Sequence, residues 1–88
     1  MASYELRFKK SVARDLRRLP NKDVKRIVER IRMLATHPRP EGCEKLSGHE
    51  RYRIRLGSYR VVYQIEDRRL TVLVVKVGHC GEVYRKLR

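Results

Sequence analysis

The sequence predicts an α+β domain in which two N-terminal helices pack on one face of a twisted, mostly antiparallel sheet of about four strands, in the order β-α-α-β-β-β. The apolar repeat changes from two residues to about 3.6 after Lys9 and returns to two near Arg51. Between two alternating segments, Gly57-Ser58 is typical of a two-residue hairpin turn. The 88 residues provide one modest core, so we expect a single domain over 1–88.

The N-terminal half contains one short strand and two helices. Residues 3–8 alternate between polar and apolar side chains and predict the first strand. A helical spacing then begins near Lys9 and ends at Pro20, which breaks a helix. From about residue 21 to 36 the apolar positions follow the i, i+3, i+4, i+7 pattern of a second, amphipathic helix. Those positions are Val24, Ile27, Val28, Ile31, Leu34 and Ala35.

The second helix is followed by a loop and a hairpin. Pro38 and Pro40 end the helix and open a loop that we expect to run through Gly42 to Gly48. The hairpin strands are predicted at about 51–57 and 59–66.

The C-terminal part is predicted to contain one more strand. After a turn at residues 67–69, the segment 70–77 is nearly all apolar, which indicates a central strand buried on both faces. Gly78 to Gly81 is expected to form a loop. For residues 82–87 the sequence leaves two structures open, a short terminal helix and an extended tail.

Residues 51–60 include four arginines and no acid. Because alternate side chains of a strand point to the same face, Arg53 and Arg55 lie side by side, and the hairpin returns Arg60 beside them. Guanidinium groups are suited to bidentate binding of phosphate. The sequence therefore predicts a basic face, on the side of the sheet away from the helices, that binds a phosphodiester. The alternative is a solvated strand face whose charges discourage aggregation.

The net charge points to a polyanionic partner. The chain has 23 Lys and Arg against 10 Asp and Glu, a formal net charge of +13. Such a field attracts nucleic acid and speeds its capture. Nucleic acid is therefore the first expected class of partner and an acidic protein the second, and the two are compatible.

Hydropathy and cysteine usage indicate the compartment. No N-terminal segment resembles a signal peptide and no apolar run approaches the ~20 residues that cross a membrane, so we expect a cytoplasmic protein with no membrane partner. Cys43 and Cys80 form no disulfide framework in that compartment. Adjacent His79-Cys80 lacks the paired ligand motifs of a zinc site, and His37 and His49 have no suitable spacing to Cys43. We therefore expect no metal and no other cofactor.

Three segments of the chain resemble the RelE/ParE superfamily of bacterial and archaeal toxins. They are Tyr52-Arg53-Ile54-Arg55, Gly57-Ser58-Tyr59-Arg60-Val61-Val62-Tyr63 and Val77-Gly78-His79-Cys80-Gly81-Glu82-Val83-Tyr84. The resemblance covers essentially the whole chain and favours the RelE branch. It implies a ribosome-dependent ribonuclease that cuts mRNA in the ribosomal A site and is held inactive by a cognate antitoxin. The ParE branch instead inhibits DNA gyrase without nuclease chemistry.

The resemblance also implies which residues form the site. The RelE branch has a pair of basic residues where this chain has Arg53 and Arg55. Arg60 matches the phosphate-binding arginine of that branch, and Tyr84 matches its catalytic tyrosine. Relatives often have an arginine near position 80, and this chain has none there.

RNA is cut without a metal when its 2′-OH attacks the adjacent phosphate, a reaction that must remove one proton and supply another. Arginine is a poor proton carrier because its pKa exceeds about 12. Tyr84 and His79 are therefore the candidates for proton transfer, Tyr84 as a base if arginines lower its pKa and His79 as an acid. Both also have a structural interpretation, as a packing aromatic side chain and an exposed histidine.

Three more residues are candidates for contact with RNA. Arg51 and Arg85 add cationic charge beside the proposed site, and Tyr59 at the hairpin turn is placed to stack on a base. The alternative for Tyr59, and the interpretation we give Tyr63, is a structural aromatic residue.

The sequence leaves three functions open. The first is a toxin of a type II toxin-antitoxin system that cleaves mRNA on the ribosome as a metal-independent endoribonuclease and inhibits translation. The second is a ParE-like, gyrase-inhibiting toxin without nuclease activity, and the third is a generic RNA-binding module. The partners expected for the first are ribosomal RNA, mRNA and a cognate antitoxin with an acidic contact surface, which masks the arginine face or displaces the Tyr84 tail.

Overall fold

The computed structural model describes residues 3–46 and 50–79. The predicted α+β class and chain order are confirmed, with one additional short strand. The elements are β1 (Glu5–Phe8), α1 (Lys10–Arg17), α2 (Asn21–Met33), β2 (Glu44–Leu46), β3 (Arg51–Leu56), β4 (Tyr59–Glu66), a 3-10 turn (Asp67–Arg69) and β5 (Thr71–His79). Within these two ranges no helix is long and apolar enough to cross a membrane.

The five strands form one sheet in the order β1-β5-β4-β3-β2. Three of the four neighbouring pairs are antiparallel, and β1 pairs parallel to β5. The sheet is therefore mostly antiparallel, as predicted. The nearly all-apolar strand β5 lies inside the sheet between β1 and β4, and the middle strand of the five is β4.

Both helices pack on one face of the sheet, which we call the inner face. Val12 of α1 and Ile27 and Ile31 of α2 are at most 1% exposed and join one core cluster with the strands. In β3 and β4 the side chains in this cluster alternate along the chain, as a single buried face requires, and in β5 the step from Val74 to Val77 spans a register shift against β4. The strand side chains in the cluster are Tyr52, Ile54, Val61, Tyr63, Ile65, Val72, Val74 and Val77. The intervening side chains of β3 and β4 therefore point to the opposite face, which we call the outer face.

The hairpin between β3 and β4 is the element that the sequence predicted most closely. Leu56 pairs with Tyr59, so Gly57 and Ser58 alone form the turn. Gly57 has a φ of +61°, a conformation that a residue without a Cβ adopts at little cost. The tight turn fixes the register of the two strands, and with it the position of every arginine on them.

Two predicted loops are wrong. The loop expected from Gly42 to Gly48 contains β2, whose residues Glu44–Leu46 pair with residues 51–53 of β3. The loop expected from Gly78 to Gly81 begins too early, because β5 continues through Gly78 and His79 while it pairs with β4. The helix or tail expected at 82–87 lies outside the described residues.

Helix α1 is attached to β5 by a buried ion pair. The Nζ of Lys76 donates to Asp15 Oδ1 at 2.7 Å, and the other carboxylate oxygen accepts the backbone N–H of Val77 at 3.3 Å. The side chains of Asp15 and Lys76 are only 9% and 12% exposed. Since β1 pairs with β5 only as far as Val74, Asp15 supplies a backbone partner where the strand ladder has ended.

The segment after α2 is held by a second network. Arg39 donates to both carboxylate oxygens of Asp67, at 3.3 and 2.9 Å, and its Nε donates to the Tyr52 hydroxyl at 3.1 Å. The Tyr4 hydroxyl donates to the same Asp67 carboxylate at 2.7 Å. The Arg39 guanidinium therefore holds the pKa of Asp67 below its usual range, with help from Tyr4. This network joins the start of the chain, the loop after α2 and the turn before β5.

Candidate nucleic-acid interface

The arginine row is a set of four arginines on the hairpin: Arg51, Arg53, Arg55 and Arg60. Tyr52 and Ile54 point into the inner core, so the arginines between them on β3 point to the outer face. Arg60 pairs directly with Arg55 across the two strands and therefore shares that face. The outer-face position that strand alternation predicts for Arg53, Arg55 and Arg60 is the one found.

The row is unfavourable for folding at one point. Arg55 and Arg60 are direct cross-strand partners, and like charges directly opposite one another destabilise an antiparallel pair. Arg55 is exposed, whereas Arg60 is only 9% exposed. A local arrangement that opposes stability is typical of a functional surface. The pairing therefore favours a role for these side chains outside the fold itself.

Strand β2 brings an acid to the row. Glu44 lies opposite Arg53 in the β2–β3 register, and its Oε2 forms an ion pair with Nη2 of Arg53. The Arg53 side chain is 20% exposed and that of Glu44 60% exposed. The sequence predicts a loop at Glu44 and therefore no such partner for Arg53. The three residues of β2 carry no clear alternation or β-branched side chain that would have revealed it.

A small apolar cluster lies beside the row on the outer face. Val62, which is fully buried, pairs with Arg53 and contacts Val75. Leu46 of β2 and Leu73 of β5 pack against these two valines. The outer face therefore combines guanidinium groups with apolar side chains, a surface that suits a ligand with phosphates and planar bases.

Tyr59 and His79 lie on the inner face, away from the row. The two residues are cross-strand partners, and their ring centroids are 4.8 Å apart. The Tyr59 hydroxyl donates to Oδ2 of Asp23 on α2 at 2.8 Å. This hydrogen bond to a carboxylate raises the pKa of Tyr59, so its phenol stays protonated at neutral pH. In this arrangement Tyr59 connects the end of the hairpin to α2, and His79 packs against it.

The other hairpin tyrosines complete the inner core. Tyr63 is fully buried, and its hydroxyl donates to the backbone oxygen of Pro38 at 2.7 Å. Burial raises the pKa of Tyr63 well above its ordinary value. Its ring stacks on that of Tyr52, with centroids 6.0 Å apart. Tyr63 is therefore a structural residue, as the sequence indicated.

Some candidate residues are beyond the part of the chain that the structure describes. Tyr84 and Arg85 lie outside the described residues, as does Cys80.

The described residues include one cysteine, Cys43, which is half-buried and has a free thiol. Among residues 3–46 and 50–79, no three His, Cys, Asp or Glu side chains lie close enough together to hold a metal ion.

Comparison with known proteins identifies the family. Residues 6–84 match the family model described as the ParE toxin of the type II toxin-antitoxin system parDE. The chain belongs to the RelE/ParE toxin family. It is similar to toxin RelG of Mycobacterium tuberculosis, with 32% identity over 87 residues that cover 94% of this chain and 98% of RelG.

Solved structures place the toxin in the RelE-like branch. The RelE-RelB complex of Pyrococcus horikoshii OT3 superimposes with a TM-score of 0.81 and 29% identity, covering 90% of this chain and 97% of that one. The intact E. coli RelBE toxin-antitoxin complex matches with a TM-score of 0.77 and 31% identity, covering 89% and 98% of the two chains. The protein is thus a type II toxin with a RelE fold, and the predicted family and fold are confirmed.

Proposed function

We propose that this toxin is a ribosome-dependent endoribonuclease that cleaves mRNA in the A site and thereby inhibits translation in the cytoplasm. The observation that carries the proposal is the arginine row, which directs guanidinium groups from two adjacent strands to one face. A phosphodiester bound on that face would contact the exposed Arg55 first, with Arg53 and the buried Arg60 beside it, and arginine is the side chain best suited to bidentate contacts with phosphate. The family membership and the likeness to RelE structures support the same function.

The chemistry we propose needs no metal. The 2′-OH of the RNA attacks the adjacent phosphorus and loses a proton, and the bond to the 5′ oxygen breaks as that oxygen gains one. Arg53, Arg55 and Arg60 stabilise the added negative charge on the phosphoryl oxygens. Arg51 and Arg85 hold neighbouring phosphates. The ribosome presents the mRNA in a fixed position, which reduces the number of catalytic groups that the toxin must supply.

Proton transfer is assigned to Tyr84, on the strength of the resemblance to the RelE branch. The assignment of His79 as the acid is weaker, because its ring packs against Tyr59 on the inner face. For His79 to reach the phosphate, its ring must leave Tyr59 and move from the inner face to the outer face. We therefore give Tyr59 and His79 a supporting part at the end of the hairpin, rather than direct contact with RNA.

An antitoxin is the partner we propose for the resting state. The RelE proteins of P. horikoshii and E. coli were each solved in complex with RelB. A net charge of +13 favours a partner that is acidic at its contact surface, since complementary fields speed association and suppress wrong partners. We expect this partner to cover the arginine row, which would block phosphate binding directly.

The function is tested by mapping mRNA cleavage on purified ribosomes. The toxin is added to ribosomes paused at a known codon, and the new RNA ends are located by primer extension. Cuts confined to the A-site codon support the proposal. Arg68→Ala serves as a matched control, because Arg68 is an exposed arginine in the turn before β5 and lies outside the row. If a toxin that stops growth leaves the ribosome-bound mRNA intact in this assay, the proposal is wrong.

The second candidate function is inhibition of DNA gyrase. It is favoured by one observation, the match of residues 6–84 to the model described as a ParE toxin. The two functions separate in a supercoiling assay with purified gyrase, in which a RelE-like nuclease has no effect. Because the chain belongs to a toxin family, a generic RNA-binding module no longer accounts for it.

A further inference from the structure

The arginine row is asymmetric because β2 reaches only part of it. Glu44–Leu46 pair with residues 51–53, so β2 lies beside Arg53 but ends before Arg55. Two residues further along, where the same register would bring a side chain opposite Arg55, the chain has Gly42, which has no side chain and has left the strand with a φ of +90°. Within the described ranges, Arg53 is therefore paired with a carboxylate, and no acidic side chain forms an ion pair with Arg55.

We propose that Glu44 is a specificity-determining residue, which lowers the affinity of the arginine row for free nucleic acid. This inference rests on the proposed function, in which the row binds RNA phosphate. The Glu44 carboxylate occupies a donor of Arg53 that a phosphate would otherwise use, so the phosphate must displace it to bind Arg53 fully. RNA held on the ribosome at high effective concentration overcomes this competition more readily than RNA free in solution.

The exposure of the two partners sets the size of the effect. Glu44 is 60% exposed, so water screens its interaction with Arg53, and exposed ion pairs of this kind change binding only modestly. Neutralising Glu44 while keeping its shape should therefore tighten the binding of a short single-stranded RNA about two- to five-fold. Arg53 would then bind an RNA phosphate without competition from the Glu44 carboxylate. The slope of log K against log salt should steepen by about 0.7 per additional phosphate contact.

The experiment measures the affinity of the full-length toxin for a fluorescent single-stranded RNA over a range of salt concentrations. Glu44→Gln is compared with Glu41→Gln, which makes the same charge change at an exposed residue beside the end of α2. The proposal predicts tighter binding and a steeper salt slope for Glu44→Gln alone. Equal changes in both variants would mean that net charge, rather than the pair with Arg53, sets the affinity, and would overturn it.

A double-mutant cycle with Arg53→Ala locates the effect. If Glu44 acts through Arg53, Glu44→Gln should leave RNA affinity unchanged once Arg53 has been removed. The same gain in both backgrounds would refute the inference. The cycle also separates this inference from the proposed function. If Arg53→Ala and Arg55→Ala weaken binding and Glu44→Gln does nothing, only the role of Glu44 fails. If neither arginine affects RNA binding, the arginine row itself is the wrong site.

Discussion

The two faces of the β3–β4 hairpin differ in how their side chains affect stability, although they are made from alternate residues of the same strands. On the inner face, the hydroxyls of Tyr59 and Tyr63 have acceptors and the apolar side chains are closely packed. On the outer face, the cationic side chains of Arg55 and Arg60 lie directly opposite one another. Folding explains the inner face, whereas the pairing of Arg55 with Arg60 on the outer face opposes stability and suits a polyanionic ligand. A functional surface is therefore recognisable where adjacent residues oppose the fold that holds them.

The strongest test of this difference is a pair of substitutions on neighbouring residues of β3. Ile54 is 2% exposed in the inner core, so Ile54→Ala should lower the free energy of unfolding by about 2–5 kcal/mol. Arg55→Ala, one residue away on the outer face, should cause no comparable loss. Urea denaturation at neutral pH measures both. If the two variants lose similar stability, the division into a folding face and a functional face is wrong.

The complementary test measures activity. Arg60→Ala removes a donor that we place on the reacting phosphate, and loss of such a contact typically lowers the rate by about 10²–10³. Tyr84→Phe should also abolish proton transfer while leaving ribosome binding nearly intact. Single-turnover cleavage of ribosome-bound mRNA gives the rates, with Arg68→Ala as the control. Wild-type rates in both variants would show that the reaction uses other residues.

The sequence predicted the parts of the molecule that depend on local periodicity. The alternation of residues 51–56 and the Gly57-Ser58 turn were enough to predict the hairpin and the common face of its arginines. Partners distant in the chain were missed, since periodicity carries no information about them. Lys76 forms its ion pair with Asp15, which is 61 positions away in the chain. The strand that carries Glu44 has only three residues, too few to show an alternating pattern.

The prediction of a loop at His79 was wrong for a different reason. Gly78 suggested a loop because glycine usually interrupts a strand. In the structure Gly78 pairs with Arg60, and β5 continues through His79. The side chain of His79 is then fixed to the inner face by strand alternation, a constraint that a loop does not impose.

The inner-face contact of Tyr59 predicts a pH dependence. Its hydrogen bond to Asp23 raises the pKa of Tyr59 in the folded state, so its contribution to stability is fully present below the unfolded pKa of about 10. That contribution is lost as the pH rises through the folded pKa. Wild type should therefore be more stable than Tyr59→Phe at pH ~7, and the difference should disappear in alkaline solution. Urea midpoints of wild type and Tyr59→Phe, measured from neutral to alkaline pH, test this prediction. A stability difference independent of pH would contradict the role of the hydrogen bond.

The smallest expected effect is a gain in stability on the outer face. Arg55→Thr removes the like charge opposite Arg60 and should raise the free energy of unfolding by about 0.2–1 kcal/mol, while it weakens RNA binding. Threonine also favours strands, so Arg51→Thr is the matched control, because Arg51 lies opposite Gln64 rather than another arginine.

Salt separates these two causes. Repulsion between Arg55 and Arg60 is screened at about 1 M salt, where the Debye length falls to about 3 Å, whereas strand propensity is not. The stability gained by Arg55→Thr beyond that of Arg51→Thr should therefore be present in dilute buffer and shrink in concentrated salt. If the extra gain is absent in dilute buffer, Arg55 and Arg60 do not repel each other in the folded protein. The two faces would then differ in exposure and in their part in activity, and not in their effect on stability.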